Sequence, residues 1–491
     1  MYPLTDTTAH APGTPTQAER GLPVIIQGGM GIGVSNWRLA NAVSRLGQLG
    51  IVSGVALDSV MARRLQDGDP GGHMRRAMAH FPIPGVAEEA LARHFRPGGR
   101  APGEPYRPLP MYQQEVSLGR DAFSVLSSFI EVTLAKEGHG GVVGINLLTK
   151  IQMGNLAFLY GALLAGVDYV IMGAGIPREI PGALDALAKN LPAQLRLELE
   201  DAAPGQAEYL RFDPAAHWKG ATPPTLVRPR FLPIVASNLL ATMLVKKATG
   251  RIDGFVIEGP TAGGHNAPPR DRGVSPETGE PLYGERDVVD LAQIRKLGLP
   301  FWVAGGEGRP ERLQEALKVG AAGIQVGTLF AYADESGLTD EIRRGVLDNV
   351  MRGTIRIRTE ARASPTGFPF KLVSWEGDPA QGVVRKRVCD LGYLRDAYGR
   401  GDKGIGYRCA SEPEEQFVAK GGDAAETPGR QCLCNALLAT IGLGQLRDGG
   451  AVEPPLLTSG DEVLTLSRFL AGRASYTAAD VVRYLLGGAP A

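Results

Sequence analysis

Cysteine is scarce in this chain, with four among 491 residues. So sparse a set excludes a disulfide scaffold as the source of stability. Net charge is missing as well. Lys plus Arg and Asp plus Glu both number 52, so no long-range field draws the protein to nucleic acid or an anionic membrane, and neither is expected as a partner. No stretch offers eighteen uninterrupted apolar residues, and the opening segment MYPLTDTTAHAPGTPTQAER lacks a basic start followed by an apolar run. Neither a membrane span nor a leader is read from it, and a soluble, cytoplasmic protein is expected. A Gly-x-Gly-x-x-Gly fingerprint between a strand and a helix is absent too, so no separate dinucleotide-binding unit is expected. These absences leave a small-molecule enzyme as the expectation, with a homo-oligomer open.

What is present is a βα rhythm. Eight apolar runs recur between residues 22 and 328: LPVIIQGG (22–29), LGIVSG (49–54), GVVGINLL (141–148), DYVIMGAG (168–175), FLPIVAS (231–237), GFVIEG (254–259), PFWVAGG (300–306) and GIQVGT (323–328). None alternates, as befits strands buried on both faces. Segments with helical apolar spacing fit between them, among them NWRLANAVSRLG, NLAFLYGALLAGV, NLLATMLVKKATG and RPERLQEALKVG. The pattern predicts an α/β protein: a (β/α)8 TIM barrel over 22–375 with insertions at about 68–138 and 201–228 capping its mouth. A flexible segment, 1–21, precedes it, and a Cys-containing C-terminal extension, 376–491, follows.

A barrel of this type carries its chemistry on the loops after the strands. The seventh and eighth runs end in Gly305-Gly306 and Gly327-Thr328, where glycines admit close backbone N–H groups and the Thr hydroxyl adds a donor. That pairing predicts a phosphate site, although glycines also simply end strands. The first run ends in Gly28, Gly29 and Met30, which would leave room for a flat ring against a polarizable side chain, and Asn146 ends the third with both a donor and an acceptor. A phosphate, a planar ring and polar edge contacts fit flavin mononucleotide (FMN). The sixth run ends in Glu258 and leads through Gly263-Gly264 to His265, one of only seven histidines. An imidazole titrates close to neutral pH, which suits it to proton transfer.

The segments PVIIQGGMG, VGINLL, VIEGPTAGGH, VAGGEG, GAAGIQVGTLF and RTEARASPTGFPFKLV resemble the FMN-dependent nitronate monooxygenase family and the related FMN-dependent enoyl reductases. The resemblance runs over roughly residues 22–375. It implies that Gly28, Gly29, Met30 and Asn146 line the flavin ring, that Gly305, Gly306, Gly327 and Thr328 hold its phosphate, and that Gly263 and Gly264 approach it. Gln325, Ser237 and Gly175 are implied as further neighbours, and His265 as the catalytic proton carrier. The implied reaction is oxidation of an alkyl nitronate by oxygen. The alternative is enoyl reduction with NAD(P)H as electron donor.

The loop after His265, NAPPRDRG, is stiffer and more basic than in many of these relatives; Arg270 and Arg272 could hold an anionic substrate or stand solvated. Two readings lie outside the resemblance: a non-redox sugar-phosphate enzyme, and a flavin-binding module without catalysis. Cys389, Cys409, Cys432 and Cys434 all fall in the extension. Four thiolates there would satisfy zinc or an iron–sulfur cluster, with unligated buried thiols as the favoured reading.

Overall fold

The computed structural model describes residues 21–488 except 203, 204, 206, 272, 402 and 403. Almost all of the expected N-terminal segment, and Arg272, therefore lie outside the described residues. All eight expected strands are present: β1 Ile25–Gln27, β2 Gly50–Ser53, β3 Val143–Leu148, β4 Tyr169–Gly173, β5 Arg230–Val235, β6 Phe255–Glu258, β7 Phe301–Ala304 and β8 Gly323–Val326. They lie side by side in the order β1-β8-β7-β6-β5-β4-β3-β2, every neighbouring pair parallel. The ring closes between its two ends. Ile26 bridges Leu49, Gln27 N donates to Leu49 O at 2.9 Å, and Ile51 N donates to the Gln27 side chain at 2.9 Å. The barrel read from the apolar runs is thus observed.

Its lumen is packed rather than hollow. Ile26, Leu49, Ile51, Tyr169, Ile171, Leu232, Val256 and Trp302 form one buried cluster, the inward residues of alternate strand positions. Trp302 satisfies its indole N–H on Pro23 O at 2.8 Å.

Outside the ring lie α1 Trp37–Arg45, α2 Leu57–Gln66, α3 Leu118–Lys136, α4 Asn155–Leu164, α5 Ile180–Leu187, α6 Asn238–Lys247, α7 Pro310–Lys318 and α8 Asp340–Arg352. Helix α1 begins at Asn36, whose side chain caps the N–H groups of Arg38 and Leu39, and buries Leu39, Ala40 and Val43. The region 68–138 is more than a cap on the mouth. Its last part is α3, which packs against α1, α2 and α4 as the crossover between β2 and β3. Contact with α4 is backbone-close: a Cβ on Gly161 would stand 2.0 Å from Val125 O.

The C-terminal region is woven into the barrel rather than appended to it. After α8, strands Arg356–Glu360 and Phe370–Ser374 form an antiparallel pair. Helix α9, Leu433–Thr440, then lies over the mouth, and α10, Ala478–Leu485, packs on α1 and α7 in the outer ring. A buried ionic knot fastens this roof to the barrel. Asp58 on α2, 0 % exposed, accepts from Tyr393 OH at 2.6 Å and Tyr112 OH at 3.2 Å, and is paired with Arg120 at the start of α3.

Removing the carboxylate would strand a buried guanidinium, so Asp58→Ala is expected to cost about 3–5 kcal/mol in urea unfolding. A change under about 1 kcal/mol would show that the knot is a bystander.

Candidate active site

A cavity opens at the C-terminal ends of the strands, with about 1590 Å³ of empty space including its open mouth. The structure brings Gly28, Gly29, Met30, Asn146, Gly263, Gly264, His265, Gly305, Gln325, Gly327 and Thr328 to its wall, together with Glu258. Gly175, Ser237 and Gly306 do not line it. Ser237 spends its hydroxyl capping α6, on Leu240 N at 3.1 Å; Gly175 turns towards Thr149, and Gly306 towards Thr261. Arg270 is exposed on the far part of its loop.

Asn146 Oδ1 and Gln325 Oε1 on this wall are acceptors with no partner in the protein. Buried acceptors are rarely left so unless a ligand completes them. Asn146 is held by Gly29, whose carbonyl accepts from Nδ2 at 3.3 Å. A Cβ on Gly29 would lie 2.2 Å from Asn146 Cβ, so only glycine leaves this approach clear. Gly305 and Gly306 adopt φ of 94° and 73°, conformations that glycine takes without strain. Close backbone, a free hydroxyl proton on Thr328 and unfilled acceptors across the mouth fit the phosphate and ring edge of FMN.

His265 is not on loose backbone, although the paired glycines before it suggest flexibility. Gly264 N donates to Thr458 Oγ1 at 2.8 Å, Lys371 N donates to Gly264 O at 3.0 Å, and His265 itself bridges Phe370. The imidazole stands edge-on to the Phe370 ring at 4.8 Å between centroids. Its Nε2 is 2.6 Å from Ser364 Oγ, which in turn bonds Thr366 Oγ1 at 2.8 Å. Burial lowers its pKa to about 4, and burial equally pushes the Glu258 carboxyl up to about 7. Both groups are thereby drawn towards their uncharged forms.

The C-terminal region supplies the remainder of the site, which the sequence alone did not reveal. Tyr393, Leu394, Leu433, Leu437, Leu456 and Leu457 form an apolar roof. Behind them, residues 458–462 stitch three strand-end loops together. Thr458 binds Gly264, Gly460 N donates to Thr328 Oγ1 at 3.2 Å, Asp461 N donates to Thr261 O at 3.0 Å, and Glu462 accepts from Gly308 N. Ser364 sits in RASPTGF, but a lone Ser in a loop carries no signal of its partner 99 residues away.

Comparison with known proteins places the resemblance on the second half of the barrel. Residues 230–372 match the family model for nitronate monooxygenase, so the resemblance read from the motifs is borne out there. The nitronate monooxygenase of Pseudomonas aeruginosa is 31% identical over 121 residues, 24% of this chain and 32% of that protein. A probable nitronate monooxygenase of Staphylococcus saprophyticus is 24% identical over 132 residues, 26% of this chain and 35% of that protein. The matches thus span about a third of the length of these curated relatives. Among solved structures, FabK from Thermotoga maritima is similar at 16% identity with a TM-score of 0.47, covering 94% of this chain and 91% of that one. Among the described residues no helix is long and apolar enough to cross a membrane.

A Cβ at position 460 would stand 2.8 Å from Thr328 Oγ1 and 3.0 Å from Thr261 O. If this cavity takes FMN, Gly460→Ala should weaken its binding by roughly tenfold, about 1.4 kcal/mol, in a fluorescence titration. Unchanged affinity would remove the stitch from the account of the site.

Proposed function

We propose that this protein is an FMN-dependent oxidoreductase, with nitronate oxidation by oxygen as the first reading. The observation that carries it is the meeting, in one cavity, of a neutral histidine with the unpartnered acceptors Asn146 Oδ1 and Gln325 Oε1. The N–H edge of a flavin ring would satisfy such acceptors, and the glycine-lined ends of β7 and β8 would take its phosphate. The match of residues 230–372 to the nitronate monooxygenase family supports the same reading. When bound, FMN supplies the electron or hydride transfer that the side chains cannot.

The chain's own part is proton handling and enclosure. With Nε2 engaged by Ser364, Nδ1 is the ring nitrogen left to exchange a proton with substrate. Ser364 is a positioning residue: its hydroxyl, oriented by Thr366, fixes which nitrogen carries the proton. The apolar roof excludes water from that exchange.

A second reading, enoyl reduction with NAD(P)H, is favoured by a specific feature. Among the described residues no Lys or Arg lines the cavity, and its histidine and carboxylic acid are both biased towards neutrality. An anionic nitronate would find no counter-charge there, whereas an uncharged alkene needs none.

Purified protein should be yellow and release FMN on heat denaturation; a colourless protein that takes up no added FMN would sink both readings and return the phosphate site to a sugar-phosphate chemistry. Oxygen consumption with an alkyl nitronate, set against anaerobic alkene reduction by NAD(P)H, separates the two. His265→Asn should retain flavin while lowering kcat by about 10²–10⁴-fold. With the imidazole pKa at about 4, proton acceptance persists as pH falls and is lost only as pH drops through that value. The acid limb of kcat/KM should therefore lie near 4; a limb at the ordinary imidazole value, about 6.5, would contradict the buried neutral ring.

A further inference from the structure

Among the described residues no three His, Cys, Asp or Glu side chains gather as a metal site, Cys389, Cys409, Cys432 and Cys434 included. What the C-terminal region gathers is cations. A second cavity, with about 1180 Å³ of empty space including its open mouth, is lined by Gln113, Arg395, Tyr398, Arg400, Tyr407 and Lys420. It begins one residue beyond the roof, since Tyr393 and Leu394 line the first cavity and Arg395 lines the second. No Asp or Glu is among its described lining residues.

Its wall is fastened from several parts of the chain. Strands Asp396–Gly399 and Ile405–Arg408 form an antiparallel pair that sets Tyr398 opposite Gly406. A Cβ on Gly406 would stand 2.3 Å from Tyr398 Cζ, so the ring lies directly against bare backbone. Arg408 covers that ring at 4.7 Å and donates to Lys420 O at 3.1 Å, which draws the Lys420 segment to the pair. Tyr407 OH accepts from Gln114 N at 2.6 Å, which brings Gln113 to the same rim. Arg395 stacks over the Tyr407 ring at 4.8 Å and donates to Gly392 O at 3.1 Å and to Tyr112 O at 2.5 Å.

The charges around this cavity do not cancel. Lys420 is paired with Glu412 at 2.6 Å. Glu200 and Asp201 are taken by Arg408, at 2.8 and 3.4 Å. Arg395 donates to carbonyls, which carry no net charge, and Arg400, exposed at the rim, bonds through its backbone, N to Gly404 O at 2.8 Å. Among the described residues these two guanidiniums line the cavity without an ion-pair partner.

We propose that this second cavity binds a phosphate-bearing small molecule through Arg395 and Arg400, with Lys420 adding charge and the Gln113 amide and the tyrosine hydroxyls adding donors. A guanidinium presents paired N–H groups that match phosphate oxygens. Cations on separate parts of the wall each reach a different oxygen of a phosphate or diphosphate, where a carboxylate offers only two. The glycine-lined ends of β7 and β8 belong to the first cavity, so this site is a different one. Arg395 also holds Tyr112, whose hydroxyl reaches Asp58. A bound phosphate therefore steadies the segment that roofs the first cavity.

The test is calorimetric titration of the full chain with pyrophosphate and with AMP, in the presence of saturating FMN so that the place after β7 and β8 is filled. About one pyrophosphate per chain is expected, with a Kd on the order of 1 mM or tighter, weakening as salt is raised. Arg400→Gln should lower the affinity about tenfold without changing flavin content, and Arg400→Lys, which keeps the charge, should restore part of it. AMP bound more tightly than pyrophosphate would support the site with a nucleotide as its source of phosphate; pyrophosphate bound at least as tightly as AMP would support it with the free anion. No saturable binding of either probe, or binding that Arg400→Gln leaves untouched, would overturn the site. A protein that takes up no FMN sinks the proposed function alone, because the Arg400 variants still decide where pyrophosphate binds.

Discussion

Five consecutive residues, 458 to 462, hold the working face of this protein in one geometry. Loops that follow parallel strands end with backbone groups that no ladder satisfies. Here the partners come from a distant part of the chain. Thr458 and Gly460 take up Gly264 and Thr328, while Asp461 and Glu462 secure Thr261 and Gly308. The histidine loop, Thr328 at the end of β8 and the turn after β7 therefore share one fastening. A shift at any of these loops is transmitted to the others through hydrogen bonds made within five consecutive residues.

The roof has an independent anchor of a different kind. Asp58 and Arg120 are buried together, with two tyrosine hydroxyls completing the carboxylate. Withdrawing two charges from water is costly, and a pair of this sort adds little net stability over apolar packing. Its value is geometric. A carboxylate with fixed acceptor directions allows Tyr393 one position over the cavity, where a leucine in its place could slide. Burial pushes the Tyr393 hydroxyl well above its ordinary pKa, so it stays a donor to Asp58 and does not compete for protons inside the cavity.

The parts of the molecule that could be read from the sequence are those governed by local pattern. Eight apolar runs become eight strands because buried parallel strands have no polar face to break the run. Helix α3 escaped notice because the Pro- and Gly-rich stretch before it masked the start, and because it is buried nearly all round, from Ala122 to Ala135, which blurs helical periodicity. The candidate site residues at strand ends were named from position or from the resemblance, and most of them reach the cavity wall. Ser237 does not, since a serine before a helix is also the best cap, and that use prevailed. Ser364, Tyr393 and the 458–462 stitch were illegible for one reason: each acts through a contact with residues tens to hundreds of positions away, and no local pattern encodes such a contact.

Helix α10 fits into the outer ring between α1 and α7, so late and early parts of the chain meet side by side. During synthesis the ribosome releases β1 through β8 long before the stitch and α10 emerge, and domains assemble as their parts become available. The nascent barrel must wait with its mouth unroofed, its first helix uncovered on one flank and His265 lacking the partner that seats it. Completion of the cavity therefore waits until residues 458–485 have emerged, and a chain cut short before them would carry every strand of the barrel without the stitch that fastens its loops.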